Sequence, residues 1–343
     1  MVSSRRGLNV ARSTRSRHGA GGAVGLLFAG MVLSLAMASD ATAHDPANTP
    51  ASTPPKSDEG LGSIGAKLSD PTSDVWALFW EQDWTFSEGD FSNGSRRTGK
   101  QSIFQPIMPF EWSENWKLLT RPTLPIIWST DVPVGRRWNQ SPSDDGTTVI
   151  IDRDGGAAFD SKEGIGDFTL PMMLSPKAKE GSRIGWGIGP TLIFPTATND
   201  ALGQQTFQAG PAAVLTYKTK GFVGAAFGQY WWDYADTGSN NSGASHGAFL
   251  YSAWWNLRDT WQVGTAPTIT YNDKAAGEDN EWNVPVGLGV AKMTKFGGKP
   301  VKIQFMIEKS IVREKEFGKD WNIRLNIIPV ITSPQKNPFF GGK

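Results

Sequence analysis

The sequence predicts an all-β chain folded as an antiparallel transmembrane outer-membrane β-barrel of about twelve strands. Three observations predict this. From about residue 79 onward apolar and polar residues alternate with period two, the pattern of strands with one face on an apolar medium. The alternating segments are longer than the ~5–6 residues of an ordinary globular strand, and they match the ~9–11 residues a strand needs to cross a bilayer obliquely. The gaps between them are alternately short and long, as periplasmic turns and external loops are.

The segments fall near 79–91, 102–112, 116–130, 165–174, 182–194, 207–217, 222–235, 247–257, 261–272, 281–291, 300–312 and 320–331. An even number returns both ends of the barrel to the periplasmic side. Ser113-Glu114-Asn115 and Arg258-Asp259-Thr260 are typical of the short gaps, and the longest gap runs near 131–164. Within a segment the faces separate cleanly. Trp261, Val263, Thr265, Ile269 and Tyr271 share one face, and Gln262, Gly264, Ala266 and Thr270 share the other. Val301, Ile303, Phe305 and Ile307 oppose Lys302, Gln304, Met306 and Glu308 in the same way.

Tryptophan placement supports a bilayer. Trp112 and Trp116 flank one short turn, Trp255 and Trp261 flank another, and Trp128, Trp231, Trp282 and Trp321 sit at loop ends. Amphipathic rings gather at both water–lipid boundaries, so these eight are expected to form the aromatic girdles. Two features conflict with a regular wall. Pro106, Pro122, Pro171, Pro190, Pro211, Pro267 and Pro285 lie inside segments, although proline has no N–H for a ladder. Several stand at similar distances from their turns, which predicts a ring of kinks that narrows the lumen or loosens a seam. The chain also continues past the last segment. Either Phe339-Phe340 belongs to the final element, or the assembly signal lies at 321–331.

Ahead of the barrel, Arg5, Arg6, Arg12, Arg15 and Arg17 precede an apolar stretch from Ala23 to Ala38 and the small-residue triplet Ala41-Thr42-Ala43. This is the layout of a cleavable signal peptide over residues 1–43. Its removal takes five arginines and Asp40 and moves the formal net charge from +1 to −3. Residues 44–75 begin HDPANTPASTPP and are expected to be a disordered periplasmic spacer, or a plug that enters the lumen. Residues 76–331 form the barrel and 332–343 a tail.

Composition excludes several classes. Balanced charge gives no electrostatic footprint for nucleic acid. Without cysteine there is no disulfide, thiolate metal site or cysteine nucleophile. Mean hydropathy of −0.34 and the lack of a long apolar run exclude a helical span but not a barrel, where alternation averages out.

SIFQPIMPFEWSENWKLLTRPTLPIIW (102–128), GIGDFTLPMMLSP (164–176), IGWGIGPTLIFPTATNDALG (184–203), QAGPAAVL (208–215) and WNVPVGLGVAK (282–292) are distinctive as a set. Together they resemble the outer-membrane transporter family named for the meta-pathway of phenol degradation, whose bacterial members also carry the label neuromedin U. The resemblance spans roughly residues 75–331. It implies an outer-membrane barrel that passes small aromatic or hydrophobic compounds, and it carries no functional residues across. The gap at 131–164 and the tail beyond Ile331 depart from the family pattern.

No catalytic constellation is evident, and the chain reads as a non-enzyme needing no cofactor. Ser245 and His246 are the sole histidine-based candidates for a hydrolase, and adjacent residues in a Gly/Ser loop do not face one another as nucleophile and base. Asp144, Asp145, Asp152 and Asp154 lack the remainder of a calcium loop and read as a solvated acidic loop. The inward face is the better candidate. Lys117, Arg121, Asp167, Thr169, Gln229, Asp233, Gln262, Asn283, Lys302, Gln304, Glu308, Asn322 and Arg324 are assigned to it. Such a lining either conducts small solutes, with its charges setting selectivity, or pairs across the barrel and fills it. Gly185, Gly187, Gly189, Gly287 and Gly289 on the same face favour space. Two functions therefore remain open. One is a channel for passive transport of small solutes. The other is a closed structural barrel that binds lipopolysaccharide or a partner through its loops. Either way outer-membrane lipid and lipopolysaccharide are the expected surroundings.

Overall fold

The computed structural model describes residues 57–133, 158–179, 181–236, 243–258, 260–275 and 277–331. The signal peptide, the proline-rich stretch 44–56, the acidic residues 144–154 and the tail 332–343 lie outside the described residues. One helix, α1 (Ser57–Leu68), precedes the sheet. The strands are β1 (Ala77–Glu88), β2 (Arg97–Glu111), β3 (Trp116–Thr120), β4 (Leu124–Pro133), β5 (Phe159–Ile165), β6 (Phe168–Pro176), β7 (Ile184–Phe194) and β8 (Thr206–Lys218). They continue as β9 (Phe222–Asp236), β10 (Ser245–Asn256), β11 (Trp261–Thr265), β12 (Thr268–Asn272), β13 (Trp282–Phe296), β14 (Lys299–Val312) and β15 (Gly318–Pro329).

Every pairing is antiparallel, and β1 pairs with both β15 and β2, which closes the ring. Three staves are each built from two strands. β3 and β4 both pair with β2, β11 and β12 both pair with β10, and β5 and β6 run consecutively along β4 and β3. The wall therefore has twelve staves. Closure removes the sheet edge that a bilayer cannot hydrate. Among the described residues no helix is long and apolar enough to cross a membrane.

The outer surface is apolar in a band. Ile184, Ile188, Leu215, Leu288, Ile303, Phe305 and Ile307 all point out and stay exposed. Such a continuous apolar exterior is stable only against lipid. Turns close one end of the wall tightly. Between β13 and β14, Gly297 (φ 56°) and Gly298 (φ 77°) form a two-residue hairpin in the left-handed conformation that glycine adopts without strain. At the other end the connections are longer, and β4 and β5 extend the wall into the gap assigned to loop at 131–164, up to Pro133 and from Phe159.

Trp112, Trp116, Trp128, Trp255, Trp261 and Trp321 lie exposed on the exterior, with Trp282 beside Tyr271 at 4.5 Å. Trp231 departs from the expected girdle. It is buried in the lumen, its indole N–H donates to Thr191 Oγ1 at 3.1 Å, and its ring lies 5.1 Å from His246. The outward residues of that strand are Trp232 and Tyr234. With Gln229 and Asp233 two residues to either side on the inward face, period two places Trp231 inward as well, against its position near a loop end.

The prolines have a common place in the wall. Pro122 falls in the break between β3 and β4, Pro267 in the break between β11 and β12, and Pro285 at a bulge. Pro190 pairs with Pro211, and Pro171 pairs with Thr191. Thr120 opposite Met172 and Thr123 opposite Thr169 set Pro122 at the level of Pro171. Four neighbouring staves thus carry a proline at nearly one height. Regular pairing lapses there, between Pro171 and Leu174 on β6 and between Ala209 and Ala212 on β8.

Candidate functional site

The lumen is the candidate site, and three groups of residues line it from the turn end to the loop end. The first is a segment within the stretch 44–75, which the sequence reads as a disordered periplasmic spacer or a plug. From Ser57 to Leu68 this stretch is helical. Leu61 and Leu68 of α1 pack with Met293 and Ile328 on the inner face of β13 and β15. The helix approaches so closely that a Cβ on Gly65 would stand 2.6 Å from Met293 Cγ.

After α1 the chain crosses the lumen. Lys302 Nζ donates to Ser69 Oγ at 2.6 Å, and Ser69 Oγ donates to Gln262 Oε1 at 3.3 Å. Lys218 Nζ donates to Asp70 Oδ2 at 2.8 Å, and the Thr72 and Thr216 hydroxyls meet at 3.0 Å. Lys117 Nζ donates to both the Thr72 carbonyl and Asp74. Finally the Trp76 indole N–H donates to the Pro109 carbonyl at 3.1 Å, and the chain enters β1. The segment thereby touches β14, β11, β8, β3 and β2 in turn, which spans the mouth at the turn end. Gly185 takes part: a Cβ there would lie 2.1 Å from Thr72 Oγ1. The small inner-face residues thus admit neighbours and do not leave space. Beside Gly287 and Gly289 the room is taken by Glu308 and Met306, and beside Gly189 by the Met172 backbone.

The second group is a belt of charge in mid-wall. Arg324 on β15 reaches Glu81 at 3.3 Å, Asp83 at 3.0 Å and Glu308 at 3.1 Å. Asn322 donates to Asp83 and Glu308, and Gln101 donates to Asp83. Arg121 donates to Gln105 and lies 5.2 Å over the Phe79 ring. Opposite this polar half, Leu119, Met173, Ala212, Val214 and Phe227 form an apolar inner wall. The lumen is therefore two-faced, charged on β1, β14 and β15 and apolar on β3, β6, β8 and β9.

The third is a cavity of about 120 Å³ at the loop end, lined by residues that include Thr85, Ser87, Arg97, Gln101, Ile127, Asp131, Phe317 and Lys319. Arg97 is 3.5 Å from Asp131 and stacks 4.4 Å over Phe159, which packs 5.0 Å from Phe317. None of Arg97, Phe317 and Lys319 stands out from the alternation. Arg97 lies on a strand that begins earlier than the pattern suggests, and Phe317 and Lys319 come from a hairpin end.

Of the sequence-assigned inner residues, Lys117, Gln262, Asn283, Lys302, Gln304, Glu308 and Asn322 are buried facing the lumen, with Arg121 and Arg324 among them. Gln229 accepts from Thr191, and Asn283 accepts from Ser310. Asp167 and Asp233 have other work. Asp167 accepts the backbone N–H groups of Ala197 and Gln204, and Asp233 accepts that of Ala244. Both tie down loop ends, a role that alternation does not separate from a lumen position. Ser245 and His246 point to opposite sides of β10. The Ser245 hydroxyl meets Tyr230 at 2.8 Å and His246 Nε2 meets Gln208 at 2.6 Å, so they form no dyad. Among the described residues no group of three or more His, Asp or Glu side chains is placed to hold a metal.

No protein-family model and no curated protein matches the chain. Solved structures do. A crystal structure of an outer membrane channel from Pseudomonas putida F1 is similar over 75% of this chain and 94% of its own, at 15% identity and a TM-score of 0.50. The NanC porin aligns over 74% of this chain and 100% of its own, at 8% identity and a TM-score of 0.40. The CymD monoaromatic hydrocarbon channel aligns over 82% and 94%, at 10% identity and a TM-score of 0.34. At such identities the likeness is one of fold, and the first of these carries it: the chain folds as an outer-membrane β-barrel.

Proposed function

We propose that this chain is an outer-membrane channel through which small solutes, aromatic and hydrophobic compounds among them, pass passively. The observation that carries the reading is the two-faced lumen inside a closed, lipid-facing wall. A barrel needing only to be filled has no use for an apolar stripe opposite a charged one, whereas a solute with a ring and a polar group can follow both. The loop-end cavity supports the same cargo. Its volume of about 120 Å³ is close to the ~150 Å³ of a cavity that holds benzene, and it offers Ile127 and Phe317 beside Arg97 and Lys319. The family resemblance points to the same class.

A specific observation favours the closed structural reading as the alternative: residues 57–76 fill the turn-end mouth, and Arg324 is matched by three carboxylates. Single-channel recording of the full chain in planar bilayers separates the two. Stepwise current is expected, with ion selectivity that shifts when Arg121 or Lys302 is neutralised. A silent protein that still migrates as a heat-resistant barrel would overturn the channel reading.

A further inference from the structure

The turn end of the lumen holds three lysines on three staves: Lys117 on β3, Lys218 on β8 and Lys302 on β14. Lys117 and Lys302 are 3% and 1% exposed. Among the described residues, no wall residue forms an ion pair with any of them. Their partners all come from residues 69–74: Asp70 for Lys218, Asp74 and the Thr72 carbonyl for Lys117, and the Ser69 hydroxyl for Lys302. The wall supplies the cations and the crossing segment supplies the anions. A buried cation is costly unless an anion or dipole compensates it, so a wall that gathers two buried lysines and a third, 31% exposed, at one mouth is built to receive negative charge there. Apolar groups lie close to the lysines. Leu119 follows Lys117 on the same face, Val214 precedes Lys218 on the same face, and Lys302 Nζ lies 5.0 Å over the Trp254 ring.

We propose that these lysines form a binding collar for small aromatic carboxylates, and that Asp70 and Asp74 occupy it as built-in stand-ins until a solute carboxylate displaces them. The inference rests on the channel reading and deepens it by naming the substrate class. A solute carboxylate at Lys218 replaces Asp70 and a second at Lys117 replaces Asp74, so neither lysine is left uncompensated, and the solute's ring gains the Leu119–Val214 surface. A neutral aromatic gains the same surface but leaves Lys117 and Lys218 bare, so it does not release the segment. The ties besides those of Lys117 and Lys218 are single hydrogen bonds, Thr72 to Thr216, Ser69 to Gln262, Lys302 to Ser69 and Trp76 to the Pro109 carbonyl, and each is exchangeable for one to water, which suits a reversible latch.

The chain has no cysteine, so a single introduced thiol reports the segment cleanly. Ser73→Cys, at a buried position, is reacted in the full-length protein with a bulky maleimide at neutral pH. Benzoate is expected to raise the labelling rate roughly tenfold at ten times its dissociation constant. Chloride at equal ionic strength and neutral benzamide are expected to leave it unchanged. Asp70→Asn with Asp74→Asn raises labelling without benzoate, and Lys117→Gln with Lys218→Gln abolishes the benzoate response in a barrel that still resists heat. No response to benzoate, or an equal response to benzamide, overturns the collar. Bilayer recording of the Asp70→Asn, Asp74→Asn chain keeps the two readings apart. Current without a benzoate response overturns the collar alone, and a benzoate response without current overturns the channel alone.

Discussion

Arg324 is where single side chains matter most to the barrel. Its guanidinium is shared among Glu81, Asp83 and Glu308, and among the described residues no other cation forms an ion pair with any of the three. Arg324→Gln would leave buried carboxylates uncompensated, and it is expected to cost about 3–5 kcal/mol, read as a lower urea midpoint in refolding from lipid vesicles. Gly185 has the opposite character. A side chain there meets Thr72 Oγ1 at 2.1 Å and the wall's Thr216 Oγ1 at 2.6 Å, the two ends of one hydrogen bond, so Gly185→Val should break that tie and dislodge the crossing segment while the backbone rungs of the ring stay intact. Raised conductance with unchanged heat resistance is the expected result. The alternation reveals the faces of Lys117, Lys302 and Arg324, because each lies between apolar neighbours. It does not reveal the loop-tying roles of Asp167 and Asp233.

Among the elements, the crossing segment and the proline row are the movable parts. Asp70 is buried, which alone would raise its pKa, yet the Lys218 ammonium and the Thr72 hydroxyl and N–H outweigh burial and hold it below the ordinary carboxylate value. A carboxylate depressed in the seated state stabilises that state fully above its free value of about 3.9, and the contribution fades as pH falls through the seated value. The segment should therefore stay seated from neutral pH down to about pH 4 and release below it. Conductance recorded from pH 7 to 3 checks this, and Asp70→Asn should flatten the response. Pro122 and Pro267 stand where two staves break into separate strands. Restoring a backbone donor with Pro122→Ala and Pro267→Ala should mend rungs and alter single-channel conductance, and identical conductance would sink the idea that these breaks shape the path. Prolines are plain in the sequence, but their common level is not, because it depends on the pairing register that sets Pro171, Pro190 and Pro211 side by side on consecutive staves.

For the molecule as a whole, the apolar exterior decides where it can reside. Leu288 is 66% exposed on the outer face of β13. Leu288→Arg near the bilayer midplane is expected to cost about 2–4 kcal/mol, measured as reduced folding into vesicles, whereas the same change in water would be nearly neutral. The two-faced lumen inside this exterior joins a charged belt and an apolar stripe from staves far apart in the chain, and its closure at the turn end comes from residues that precede the first strand.

The sequence by itself determined the staves, their number, their antiparallel order and most side-chain faces. These follow from a local rule, since period two and turn spacing act between near neighbours. Only the tertiary structure decided that residues 69–76 cross the lumen, that Gly185 makes room for Thr72 and Gly65 for Met293, and that three wall lysines meet Asp70, Asp74 and Ser69 there. Those relations join residues up to 233 positions apart, as Ser69 and Lys302 are, and they arise only once the ring closes.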